Sequence, residues 1–166
     1  MKNILLLSFL VGQLILAGSS ANAERSKALA SPQEACSFDG TICDFYCYKA
    51  NELGCAKDTY LLQFGQKYCR RYIRNSSKFS DRVQAVLAKI RSCLVDRLEN
   101  QRGLTCVDAE VVGMHSHVSC YVDSGFCGLA KMDQFQIFWL ANELIFNENV
   151  RHEMGQVDQL CSKKKE

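Results

Sequence analysis

Ten cysteines fall between Cys36 and Cys161, an even number in a chain of 166 residues that carries a single proline. In a small domain made in an oxidising compartment, an even set reads as a disulfide framework; the same count in the cytosol would suggest zinc or redox chemistry. The amino terminus decides between the two. Lys2 precedes an apolar run from Ile4 to Leu16, small residues follow, and Ala21-Asn22-Ala23 fits a signal-peptidase site, so residues 1–23 are expected to be a secretory signal cleaved after Ala23. The run is short for a transmembrane anchor and is interrupted by Gly12 and Gln13, so stable membrane insertion is not expected. Counting alone leaves on the order of a thousand ways of pairing ten cysteines, and spacing does not choose among them.

Composition narrows the class. Twenty Lys and Arg stand against 18 Asp and Glu, and the one basic run is Lys163 to Lys165, which excludes the stripe of positive charge a nucleic-acid partner needs. A 48% hydrophobic content with 23% charged residues places the chain among globular proteins. The expected organisation is the signal, a polar segment over 24–33, one disulfide-bonded helical domain over 34–161 and a basic tail over 162–166.

The apolar periodicity is helical throughout and no strong strand is seen, so the fold class is all-α, a small disulfide-stapled helical domain. Ser31-Pro32-Gln33-Glu34 has the capping-box form and predicts a first helix, interrupted near Gly40. A second short helix carries Cys43 and Cys47 on one face. A third segment runs from about Thr59 to Arg74, with Leu62, Tyr68, Tyr72 and Ile73. The clearest helix runs from a cap at Ser80 to about Asn100, where Val83, Val86, Leu87, Ile90, Cys93, Leu94 and Leu98 form a stripe that only Arg97 intrudes on. Gly103 marks the turn after it. Further segments are expected from about Cys106 to Tyr121, from about Asp133 to Asn147, and in a last helix ending near Cys161.

No reading of the side chains yields catalysis. His115 and His117 form a His-x-His pair, but on a helix they point about 200° apart and cannot share a metal, and no other ligands stand at a suitable spacing. His117-Val118-Ser119-Cys120-Tyr121 is similar to the His-x-x-Cys-Tyr part of secreted calcium-dependent phospholipases. That family has an Asp after the catalytic His and a glycine-rich calcium loop; here Val118 follows His117 and no such loop precedes it, so nothing would hold the metal that stabilises an oxyanion. No Gly-x-Ser-x-Gly elbow occurs. An enzyme is not expected, nor a metal or cofactor. Asn75-Ser76-Ser77 is a glycosylation sequon in a polar stretch between two helical segments, and a glycan is expected on Asn75.

From Cys69 to Cys161 the cysteine order resembles the stanniocalcins, secreted helical glycoprotein hormones. The resemblance rests on Cys69-Arg70-Arg71-Tyr72-Ile73, on Ser77-Lys78-Phe79 and a helix into Cys93, on Cys106, Ser119-Cys120-Tyr121 and Cys127, and on the long helical stretch to Cys161. Cys36, Cys43, Cys47 and Cys55 match in number and order with somewhat different spacing. The resemblance implies five bridges: Cys36 with Cys47, Cys43 with Cys69, Cys55 with Cys106, Cys93 with Cys120, and Cys127 with Cys161. It also implies a hormone-like extracellular regulator of calcium and phosphate homeostasis acting through a protein partner, whether receptor, transporter or protease. The alternative function is inhibition of a metalloproteinase of the pappalysin type, and a calcium-dependent secreted phospholipase stands third.

Assembly is expected from residues 133–146. As a helix this stretch is apolar almost all round, with Phe135, Phe138, Trp139, Ile145 and Phe146 on one face and Ile137, Leu140 and Leu144 on another. One side can meet the core, and the other needs a second chain to cover it. Phe135, Phe138, Trp139, Ile137, Leu140 and Leu144 are therefore the expected interface of a homodimer. Stanniocalcins are commonly disulfide-linked dimers; their further cysteine has no counterpart among these ten, so the dimer here is expected to be noncovalent.

Overall fold

The computed structural model describes residues 36–164, of Ile145 the backbone only, and the expected signal, the polar segment 24–33, the capping box at Ser31 and the end of the tail lie outside them. Among the described residues every regular element is helical. The order is α1 (Asp44–Leu53), a π-helical turn over Leu61–Gln66 that runs into α2 (Lys67–Arg74), a 3-10 turn over Ser76–Lys78, α3 (Asp81–Glu99) and α4 (Cys106–Asp123). A 3-10 turn over Phe126–Gly128, α5 (Lys131–Trp139), a 3-10 segment over Asn142–Phe146 and α6 (Glu148–Lys163) complete it. The fold is a small disulfide-stapled all-α domain.

Helix α3 is the spine. Ser80 caps it with a side chain that accepts from the Val83 N–H, as the sequence predicts. Its buried stripe is Val83, Val86, Leu87, Ile90, Leu94, Val95 and Leu98. Val95 takes a place the sequence pattern assigns to no one, and Arg97 points into solvent. The reason is that α3 serves two cores. Its first three turns pack with Tyr68, Tyr72, Phe79, Phe126 and Ile137, while Val95 and Leu98 pack with Tyr46, Ala50, Leu61 and Ala109. After α3, Gly103 takes φ 69, and Thr105 with Asp108 closes a capping box that starts α4 antiparallel to it.

All five bridges link neighbouring elements with Cα–Cα separations of 4.9 to 5.6 Å, within the ordinary range. They join Cys36 to Cys47, Cys43 to Cys69, Cys55 to Cys106, Cys93 to Cys120 and Cys127 to Cys161, and leave no free cysteine among the described residues. These are the same partners that the stanniocalcin resemblance implies. The first bridge needs the chain to double back before α1, which Gly40 allows at φ 75. Arg70 of α2 holds that loop: it is buried, pairs with Asp44 at 2.8 Å and Asp39 at 3.1 Å, and donates to Ser37. Burial opposes ionisation of Asp44, yet the Asp39 and Gly40 N–H groups and the Arg70 guanidinium together hold its carboxyl below the usual range.

The stretch expected to form one helix from Asp133 to Asn147 does not. It begins two residues earlier, ends at Trp139 and turns at Ala141 (φ −114, ψ 30) into the 3-10 segment. A straight helix would bury one apolar face and leave the other bare. The break instead returns Leu140, Ala141 and Leu144 to the core beside Phe138, with Ile137 fully buried. It also brings Glu143 to α2, where it meets Lys67 at 2.7 Å, Tyr68 Oη at 2.5 Å and Arg71 at 3.0 Å. Of the expected dimer residues, then, Ile137, Phe138, Leu140 and Leu144 are taken up by the chain's own core, and Phe135 and Trp139 remain exposed.

Candidate functional site: an aromatic cavity between the helices

Two rows of side chains at four-residue spacing face each other across the domain. One is Tyr60, Phe64, Tyr68 and Tyr72, from the π-helical turn and α2; the other is Gly113, His117 and Tyr121 of α4. Residues four apart lie on one helical face, so each row is a ladder. Tyr60 stacks on Phe64 at 5.4 Å between ring centroids, Phe64 meets Tyr68 at 5.1 Å, and His117 meets Phe64 edge-on at 5.7 Å. Glycine makes the approach possible: a Cβ on Gly113 would overlap the Tyr60 ring, and one on Gly65 would overlap the Tyr46 ring.

The rows do not close completely. They leave a cavity of about 100 Å³, walled by these aromatics, by Leu87, Ile90 and Leu94 of α3, and by Val150, Met154 and Val157 of α6. Ala141 and Leu144 of the 3-10 segment form part of its rim. That rim is fastened by the Glu143 cluster and by Arg71, which also donates to the Leu140 carbonyl at 3.1 Å. Hydrogen bonds from Arg71, Lys67 and Tyr68 hold the Glu143 carboxyl at about 2.

Besides the tyrosines, three ionisable groups line the cavity: His117, Glu153 and Arg91. The His117 Nδ1 lies 2.8 Å from the Gly113 carbonyl and 3.2 Å from that of Met114; since both partners are acceptors, Nδ1 carries the proton and Nε2 is left as an acceptor. Burial lowers its pKa and outweighs the two carbonyls. Glu153 Oε2 lies 4.0 Å from the same Nδ1, with a side chain only 12% exposed, and burial raises its carboxyl to about 7. Arg91 Nε is buried without a hydrogen-bond partner. Tyr72 donates to the Ile137 carbonyl at 2.7 Å, and burial lifts Tyr121 to about 12. Chemically the cavity is an apolar chamber with π faces, one imidazole acceptor, one guanidinium donor and one carboxyl that can ionise near neutrality.

The His-x-His pair is split as helical geometry requires, with His115 exposed on the outer face of α4 and His117 turned inward. Among the described residues no group of three or more His, Cys, Asp or Glu is arranged to hold a metal ion. Asn75 is half-buried at the end of α2, where its side-chain amide donates to the Arg71 carbonyl at 2.8 Å. Sequence reasoning missed the ladders and Glu153. The four-residue spacing of Tyr60, Phe64, Tyr68 and Tyr72, and mid-helical Gly113 ahead of His117 and Tyr121, are the signals that point to them.

Outside, the main apolar exposure is a stack of Phe135 on Trp139 at 5.7 Å, both more than half exposed, with Met132 and Phe146 also in solvent. No described helix is long and apolar enough to cross a membrane. No family model, no curated protein and no solved structure matches the chain.

Proposed function

We propose that the protein is a secreted, hormone-like glycoprotein of stanniocalcin type, which regulates calcium and phosphate homeostasis by binding an extracellular protein. The observation that carries this reading is the bridge pattern: ten cysteines close into five bridges whose partners are those of that family's framework. Such a framework suits an oxidising, extracellular setting. The exposed Phe135 and Trp139 support a role in binding, because large rigid aromatics in solvent are the residues interfaces are built on. The same stack supports the noncovalent homodimer, with an interface smaller than the sequence pattern suggests and centred on α5.

The test is transport. Purified, oxidised protein is added to an epithelial monolayer, and calcium and phosphate fluxes are followed against the reduced and alkylated chain. A change in either flux with the oxidised protein alone is the expected result. Equal fluxes under both treatments would remove the hormone reading.

A further inference from the structure

The cavity has a second feature that neither its packing nor protein binding requires. Glu153 lines both the cavity and a surface groove between α4 and α6, whose walls include Glu110, Met114, His115 and His152. Glu153 therefore borders both groove and chamber. Among the described residues its side chain makes no hydrogen bond, and its one ion-pair contact is with the His117 ring at 4.0 Å, which keeps Nδ1 for backbone carbonyls. A mostly buried carboxylate without a cation is costly unless something positive comes to it. Aromatic faces are the other surface that attracts a cation, and Glu153, Tyr60 and Tyr121 line the same cavity.

We propose that the cavity binds a small organic ammonium, a monoamine with a short branched-alkyl body, its charged nitrogen between Glu153 and the rings of Tyr60 and Tyr121 and its apolar part among Phe64, Leu87 and Leu94. Size sets the body. An apolar cavity of roughly 150 Å³ takes up benzene with its six carbons, so about 100 Å³ suits an apolar body of about four or five carbons, with the nitrogen at the edge of the chamber beside Glu153. Sign is set by the groups that surround Glu153. From α4 come Glu110, His115 and His117; from α6 itself come His152 and Gln156; Tyr60 and Tyr121 complete the ring, and α3 contributes Arg91. Arg91 is the one permanent cation on the cavity wall, and it leaves the Glu153 carboxyl shifted by burial alone, so it does not act as that group's partner. Two acids at the groove, Glu110 and Glu153, favour the approach of a cation.

The experiment is a chemical-shift titration of the full oxidised protein with three molecules of one shape: isopentylamine, 3-methylbutan-1-ol and 3-methylbutanoate. At pH 8 the amine is expected to bind at least about tenfold more tightly than the alcohol, shifting the resonances of Tyr60, His117 and Tyr121, and the carboxylate is expected not to bind. At pH 5.5, where Glu153 holds its proton, the amine is expected to lose on the order of tenfold or more in affinity. The E153Q variant, checked for native dispersion of its spectrum, is expected to bind amine and alcohol alike and to show no change between the two pH values. Preference for the carboxylate would assign the site to Arg91 and overturn the proposal, as would equal binding of all three molecules or of none. A pH dependence that survives in E153Q would transfer it to His115 or His152 and overturn it equally.

Discussion

The two cores that share α3 are held by different means. Around α1 and the start of α4, three bridges converge on Cys36, Cys43, Cys47, Cys55, Cys69 and Cys106, and the loop before α1 is fixed by the buried Arg70–Asp44 pair. In the other half, Cys93–Cys120 ties α3 to α4, and Cys127–Cys161 closes a loop of 34 residues that contains α5, the 3-10 segment and nearly all of α6. Inside that loop nothing is covalent. The 3-10 segment rests on Leu140, Ala141 and Leu144 and on a Glu143 cluster whose charged side chains are partly solvated. One half is thus fixed by three cross-links and a desolvated ion pair, the other by two cross-links and, between residues 127 and 161, by apolar packing around an incompletely filled cavity. The second arrangement can open without unfolding the first.

The largest effects should come from removing bridges. Loops of 26 and 34 residues predict about 3 to 4 kcal/mol for Cys43–Cys69 and for Cys127–Cys161 alike. Chemical denaturation of C43S/C69S and C127S/C161S should therefore give similar losses in water. Hydrogen exchange should separate them: C127S/C161S loses protection between residues 127 and 163 only, whereas C43S/C69S loses it across α1, α2 and the end of α3. Uniform loss in both variants would break the division into two halves.

Next in size is Arg70→Met, which takes the guanidinium from Asp44 and should lower the denaturant midpoint. Slightly smaller and opposite in sign is Glu153→Gln. The Glu153 carboxyl sits at about 7 in the folded chain against 4.5 in the unfolded one. Between these values the unfolded chain releases a proton that the folded chain keeps, so stability falls as pH rises from 4.5 to 7 and stays low above it. Glutamine removes that penalty: the variant should be more stable than the parent by about 2 kcal/mol at pH 8 and equal to it at pH 4. A pH-independent difference would contradict the assigned burial of the carboxyl.

Glu143 works in the reverse direction. Its folded value of about 2 lies below the unfolded 4.5, so its contribution is complete above pH 4.5 and is lost as pH falls towards 2. The fluorescence of Trp139, the only tryptophan, should report this loosening at the end of α5 before far-ultraviolet dichroism reports loss of helix, and Glu143→Gln should show it already at neutral pH. Coincident transitions would place Glu143 outside the fastening of the rim. The smallest effect on stability, within about 0.5 kcal/mol, is expected for Phe135→Ser and Trp139→Ser, since both side chains are exposed. Light scattering should nonetheless give a monomer for these variants and a dimer for the parent at micromolar concentration; a monomeric parent would remove the homodimer.

What the sequence could say differs between the halves for the same reason. Helix α3 was legible to the residue at Ser80, because a cap and a 3.6-residue stripe are local signals. Val95 was not, because its burial depends on a second core that only the tertiary fold creates. The break at Ala141 was equally hidden: propensity continues the helix through Leu140, and it is the core contact of Leu144 and the reach of Glu143 to α2 that interrupt it. The aromatic ladders were in principle readable from their spacing. Glu153 was not, for a Glu beside Val150, Met154 and Val157 becomes a mostly buried carboxyl only when α4 packs over it.

Native-state hydrogen exchange on the oxidised protein, with all bridges intact, tests the division between the halves most directly. Amides of α1, α2 and α3 should exchange only through global unfolding, with a denaturant dependence equal to that of the whole domain. Amides from Gln134 to Leu144 should exchange through a smaller opening with a weaker denaturant dependence, faster at pH 3 than the intrinsic rates explain because Glu143 is then partly released. A single opening free energy shared by α2, α3 and residues 134–144 would contradict the account.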